Sequence, residues 1–121
     1  MTELEFIKKC EYLRNKYLED IEKLKEQFFK DNIPYKVGDI VFRKIYGKEE
    51  HFYIDKIYMK KLIGQKFDFP NLGGSKHSTY IDGRLIDENG IFIKFMGKYS
   101  DTSCNVEDIK GFSNRILKEN P

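Results

Sequence analysis

The sequence predicts an α+β chain that is mainly β: a long N-terminal amphipathic α-helix followed by a small five-stranded antiparallel barrel. Three observations carry that expectation. All nine glycines and all three prolines lie after Asp31. Before that point apolar residues recur at helical spacing, and after it short runs rich in Ile, Val, Phe and Tyr are separated by Gly- and Asn-containing turns. No helical pattern separates those runs, which suits a small closed antiparallel sheet better than a parallel one.

The helix covers residues 1–32. Thr2-Glu3-Leu4-Glu5 fits a capping box, in which a hydroxyl and a carboxylate satisfy backbone N–H groups that a helix start leaves orphaned. Phe6, Cys10, Leu13, Tyr17, Ile21, Leu24 and Phe28 follow at steps of 4, 3, 4, 4, 3 and 4 and form one apolar stripe. The 4-4 step at Tyr17–Ile21 departs from a clean heptad. Glu5–Lys9, Glu19–Lys23 and Glu26–Lys30 stand at i,i+4 in the favourable order. Asn32-Ile33-Pro34 ends the helix, with Asn32 expected in the left-handed cap and Pro34 forcing its predecessor extended. A straight helix of this size is about 45 Å long, against a diameter of roughly 30 Å for the barrel. The stripe would overrun the barrel and call for a partner, either a second copy or another protein; the alternative is a bent helix that covers its own barrel. Leu13, Tyr17, Ile21 and Leu24 are the candidate partner-binding residues.

The barrel is expected over residues 33–112. Asp39–Tyr46 and His51–Ile63 are the first strands, with Gly47-Lys48-Glu49-Glu50 as their turn. Thr79–Ile86 and Ile91–Met96 form the next pair across Asp87-Glu88-Asn89-Gly90, because Asn-Gly accepts positive φ at both positions. Asp82-Gly83 competes as a turn, but two turns so close leave only a stub of strand, so Gly83 is expected in a bulge. A last strand is expected around Asn105–Ile109, and residues 113–121 as a fraying tail. Residues 65–78 read as an insertion longer than a tight barrel needs.

Tyr35-Lys36-Val37-Gly38-Asp39-Ile40-Val41 resembles the Val-Gly-Asp-x-Val opening of SH3-like barrels, the KOW and Tudor-like modules among them. Tyr53-Ile54-Asp55-Lys56-Ile57, Tyr80-Ile81-Asp82-Gly83-Arg84-Leu85 and Val106-Glu107-Asp108-Ile109 add to the likeness, which is to small bacterial and phage proteins with one such barrel. The resemblance covers roughly residues 35–110 and implies the fold. It transfers no site, because such modules bind proteins, RNA or DNA.

Composition narrows the function classes. Among 121 residues, 22 basic side chains face 20 acidic ones, so the net charge of +2 exerts no global pull toward nucleic acid or an anionic membrane. Two cysteines are too few for a disulfide scaffold, and no apolar run or leader suits a membrane or secretion; a cytoplasmic protein is expected. A basic and aromatic face on the second strand is the candidate nucleic-acid surface: Lys56, Tyr58, Lys60, Lys61 and Lys66, with Lys76 beyond. Against it, Asp55 sits inside the patch, and after residue 32 the balance is 15 basic to 12 acidic, only +3. Asn71-Leu72-Gly73-Gly74-Ser75-Lys76 offers an anion nest in composition but lacks P-loop spacing, and reads as a loop.

Catalysis finds little support. His51 and His77 are the only imidazoles, no residues have metal-ligand spacing, Cys10 lies on the helix stripe, and Cys104 is expected in a loop. No enzyme activity, cofactor or metal is expected. The functional expectation is a non-catalytic binding and assembly protein, its helix stripe mediating oligomerisation or docking and its barrel loops recognising a protein. The alternatives are the nucleic-acid module and, from the resemblance alone, a phage-encoded virion component or inhibitor of a host factor.

Overall fold

The computed structural model describes residues 1–59 and 79–121. They form two compact units, Met1–Pro34 and Tyr35–Pro121.

The first unit is α1 (Glu3–Asn32). Thr2 caps it, its Oγ1 accepting the Glu5 N–H at 3.1 Å. At the other end the chain leaves through an extended Ile33 (φ −109°), whose N–H still reaches the Phe29 carbonyl at 2.8 Å. Asn32 therefore is not the left-handed cap expected; its Nδ2 donates to the Phe28 carbonyl instead. Pro34 accounts for the difference, since it requires extended backbone at Ile33.

The second unit opens on a turn that explains its Gly-Asp pair. Gly38 takes φ +96°, open to glycine at no steric cost, and donates its N–H to the Ile54 carbonyl. The Asp39 carboxylate accepts the Lys36 N–H at 2.9 Å. Then follow β1 (Ile40–Ile45), β2 (Lys48–Met59), β3 (Thr79–Leu85), β4 (Lys94–Phe95), β5 (Lys98–Tyr99), β6 (Asp101–Asn105), a 3-10 turn (Val106–Asp108) and β7 (Ile109–Phe112). Five strands make one antiparallel sheet in the order β6-β3-β2-β1-β7, and β4 with β5 makes a separate hairpin.

Inward residues of the large sheet form the core: Val41, Phe52, Ile54 and Ile81 are fully buried, with Met59, Cys104, Val106 and Ile109 around them. The same face carries a polar cluster. Arg43 donates to Glu50 at 3.1 Å and to Thr102 at 2.7 Å, and the Thr102 hydroxyl donates to Glu50. Arg43 is on β1 and Thr102 on β6, three strands apart, which in a flat sheet means about 14 Å. The sheet is therefore strongly curled, with its two edge strands joined by the 3-10 turn.

Several strand expectations are corrected. The first hairpin turns on two residues, Tyr46 and Gly47, and residues 48–50 belong to β2. The bulge lies on β2 at Asp55, not at Gly83, which pairs regularly with Ile54 and Thr102. Gly83 is required for another reason: a Cβ there would overlap the Tyr53 carbonyl oxygen and the Phe52 ring. Pairing of Thr79–Ile86 with Ile91–Met96 shrinks to an Ile86–Phe92 bridge, and β3 takes β2 and β6 as its neighbours. The segment expected as the last strand is the end of β6 plus the 3-10 turn, and the last strand is β7. Residues 113–121 are fastened: Ser113 N–H to the Ile40 carbonyl, Lys118 N–H to Gly90, and the Arg115 guanidinium to Ile86, each at 2.8–2.9 Å. Cys104 lies buried on β6, not in a loop. The insertion 65–78 lies outside the described residues.

Candidate functional site

In α1 the stripe residues Leu13, Tyr17 and Leu24 are exposed, Ile21 is half-buried, and the helix has no buried residue. Cys10 is exposed as well.

Three of the exposed apolar residues of the β unit, Tyr46, Phe95 and Met96, lie at hairpin tips. Tyr46 and Met96 are the two non-glycine residues with positive φ among those described, +50° and +52°. Each precedes a glycine at φ +79° (Gly47 and Gly97), so both hairpins close on a two-residue turn with positive φ at both positions. Asn and Asp are the residues that such turns favour after glycine. A tyrosine and a methionine there carry a conformational cost of about 1–2 kcal/mol. Tyr46 is fully exposed, Met96 is 87% exposed and Phe95 beside it 74%, so no intramolecular packing offsets that cost. Sequence reasoning missed both tips. The available signal is Tyr-Gly and Met-Gly at hairpin positions, whereas the sequence expectation puts the turns at 47–50 and across Asn89-Gly90.

Lys56 and Tyr58 do share the outer face of β2, with the Lys56 ammonium 5.0 Å from the Tyr58 ring centre. Lys60, Lys61, Lys66 and Lys76, like Gly73-Gly74, lie outside the described residues. The surroundings of the two described residues are acidic and polar. Lys56 stands opposite Asp82 in the β2–β3 register, and the Tyr58 hydroxyl donates to Asp82 at 2.9 Å with Ser103 3.4 Å away. Burial and Asp82 push the Tyr58 phenol up from its ordinary value, although its bond to Ser103 pulls the other way. Asp55, Asp82 and Asp101 line one shallow depression of about 510 Å³ beside Tyr58.

Arg84 fills a neighbouring aromatic box. Its guanidinium lies 4.3 Å from the Phe92 ring centre, 5.0 Å from Tyr99 and 5.3 Å from Tyr53. It also forks onto Asp55 at 2.8–3.1 Å, and these hydrogen bonds raise its already high pKa. The cage is thus occupied by the protein's own cation, which ties β3 to β2 and to the residues around β4 and β5.

His51, 6% exposed, stacks on Phe42 with ring centres 5.3 Å apart. Its Nδ1 is 2.6 Å from Ser113 Oγ and its Nε2 3.1 Å from Glu49 Oε2. With Nε2 protonated, Ser113 donates to Nδ1 and Nε2 donates to Glu49, while Ser113 Oγ accepts the Arg115 N–H at 3.0 Å. One role of the hydroxyl thus ties the C-terminal segment to β2, and the other closes a turn within that segment. The Cys104 thiol is pushed up to about 11 by burial, so at neutral pH it is a protonated, poorly nucleophilic group. Among the described residues no three His, Cys, Asp or Glu side chains are grouped to hold a metal ion, and no helix is long and apolar enough to cross a membrane.

No protein-family model, curated protein or solved structure matches the chain.

Proposed function

We propose that the protein is a non-catalytic binding and assembly protein, in which the α1 stripe joins copies or partners and the hairpin tips of the β unit recognise another protein. The observation that carries the reading is the pair of tips: apolar side chains held at positive φ and presented to solvent, where asparagine or glycine would fold more easily. Strain kept without internal compensation belongs with surfaces selected for contact. We further read the β unit as an SH3-like barrel. The strand order with β1 between β2 and β7, the strong curl and the 3-10 turn between the edge strands support that reading, as does the Gly38-Asp39 turn.

The test is the double variant Tyr46→Asn with Met96→Asn. It should melt higher than the wild type, because the turn strain is relieved, and it should fail to retain the protein that the wild type captures from cells. Capture of the same protein by both would remove the tips from the recognition surface. The nucleic-acid reading has Lys56 and Tyr58 in its favour and Asp55, Asp82 and Asp101 against it. It requires binding that weakens steeply with salt, so probes left unshifted at low salt would eliminate it.

A further inference from the structure

The α1 stripe reads the same in both directions. The steps 4, 3, 4, 4, 3 and 4 from Phe6 to Phe28 are symmetric about Tyr17. They are also two 11-residue periods laid end to end, and that period, 3.67 residues per turn, keeps a stripe on one side with a slight right-handed wind. We infer that α1 pairs antiparallel with α1 of a second copy of this chain, the twofold axis passing at Tyr17. The inference rests on α1 being an assembly surface and adds the occupant and the direction.

In this pairing Tyr17 meets Tyr17, Leu13 meets Ile21, Cys10 meets Leu24 and Phe6 meets Phe28. A parallel pair also sets apolar against apolar, so charge decides between the two. From residue 8 to 16, Lys8, Lys9, Arg14 and Lys16 outweigh Glu11, a net +3. From 19 to 26, Glu19, Asp20, Glu22 and Glu26 outweigh Lys23 and Lys25, a net −2. At about 3.6 residues per turn Lys8, Glu19 and Glu26 fall opposite the stripe, which leaves +2 on the flanks of the first block and no net charge on those of the second. A parallel pair sets +2 against +2, whereas an antiparallel pair centred on Tyr17 sets each +2 flank against a neutral one. Lys16 and Asp20, four residues apart, also share one flank of the stripe. An antiparallel pair brings the same flank of both helices together, so each lysine meets the other copy's aspartate on either side of Tyr17.

Cysteine cross-linking on the full chain tests direction and partner together. Cys10 is already exposed on the stripe, and the variant Leu24→Cys supplies the second thiol. Within one helix these positions are 14 residues and about 21 Å apart, too far for a disulfide. Any link between Cys10 and the thiol introduced at position 24 therefore joins two copies. The expected result under oxidised glutathione is a covalent dimer whose mapped disulfides join Cys10 of one copy to position 24 of the other. The same protein should be dimeric by light scattering before oxidation. Links of Cys10 to Cys10 would establish a parallel pair, overturning the direction while leaving α1 an assembly surface. A monomer at all concentrations would overturn both, with the stripe then covered by its own chain or by a different protein. Charge reversal gives a second reading: Lys16→Glu alone or Asp20→Lys alone should weaken dimerisation about tenfold, and an equimolar mixture of the two should recover it. Failure of the mixture to recover would exclude this flank pairing.

Discussion

α1 and the β unit acquire their order at opposite ranges along the chain. In α1 the cap bond from Glu5 to Thr2 spans three residues, and the closing bond from Ile33 to Phe29 spans four. In the β unit the ties that shape the sheet are remote: Arg43 to Thr102 spans 59 residues and His51 to Ser113 spans 62. The β unit makes an interior from those ties, with Val41, Phe52, Ile54 and Ile81 fully buried. A single helix has no interior, and isolated helices in water gain little beyond their local bonds. The lesson is that one region carries its stability with it, while the other has a pattern that needs an apolar surface from outside α1.

The contrast can be broken most forcefully in α1. Replacing Tyr17 and Ile21 with Glu should abolish assembly in light scattering and leave the cooperative melting of the β unit in place. An unchanged mass would disqualify the stripe. In the β unit, Gly83→Ala should cost about 3 kcal/mol in urea unfolding, because backbone at Tyr53 rather than a flexible side chain would have to move. A loss under about 1 kcal/mol would show that the β2–β3 ladder yields locally. Glu50→Ala should cost about 2 kcal/mol by leaving Arg43 and Thr102 without their acceptor on the inner face, and Glu50→Gln should lose less.

A smaller effect follows from pH. Burial holds Cys104 protonated, with its pKa raised from 9.0 to about 11. The unfolded chain therefore releases this proton first, so the contribution is intact below about pH 9 and is lost as the pH climbs toward 11. The raised phenols of Tyr35 and Tyr58 act in the same direction at higher pH. Thermal midpoints should fall across this window, and Cys104→Ala should make the fall shallower; an identical slope in both proteins would locate the loss elsewhere. Smallest is Tyr46→Asn alone, expected to gain about 1 kcal/mol from the relaxed turn. A loss of stability instead would mean that the Tyr46 ring packs usefully after all.

Much of α1 was legible because its information is local. Thr2 at the cap, the stripe from Phe6 to Phe28 and the stop before Pro34 each depend on neighbours within four residues. In the β unit the runs were legible but not their pairing. Gly83 was visible as an interruption of a strand pattern, yet the bulge it suggests belongs to Asp55 on the facing strand, since a glycine can also be demanded by a neighbour's backbone. Asn89-Gly90 does make a turn, with Gly90 at φ +78°, but β3 runs beside β6, and residues 94–99 fold back on themselves. For the site, the stripe was readable from spacing, whereas the tips at Tyr46 and Met96 carry only a Tyr-Gly and a Met-Gly pair, a weaker signal than the Asn-Gly or Asp-Gly that such turns favour.

By itself the sequence determined where helix gives way to strand, how far α1 runs, and which residues share its apolar side, all consequences of spacing and of proline and glycine chemistry. Only the tertiary structure decided which strands adjoin, that Arg43, Glu50 and Thr102 meet, that Arg84 occupies the ring of Tyr53, Phe92 and Tyr99, and that Cys104 is buried. Those facts depend on the curl of a sheet whose bonds join residues dozens of positions apart, and periodicity carries no record of such distances.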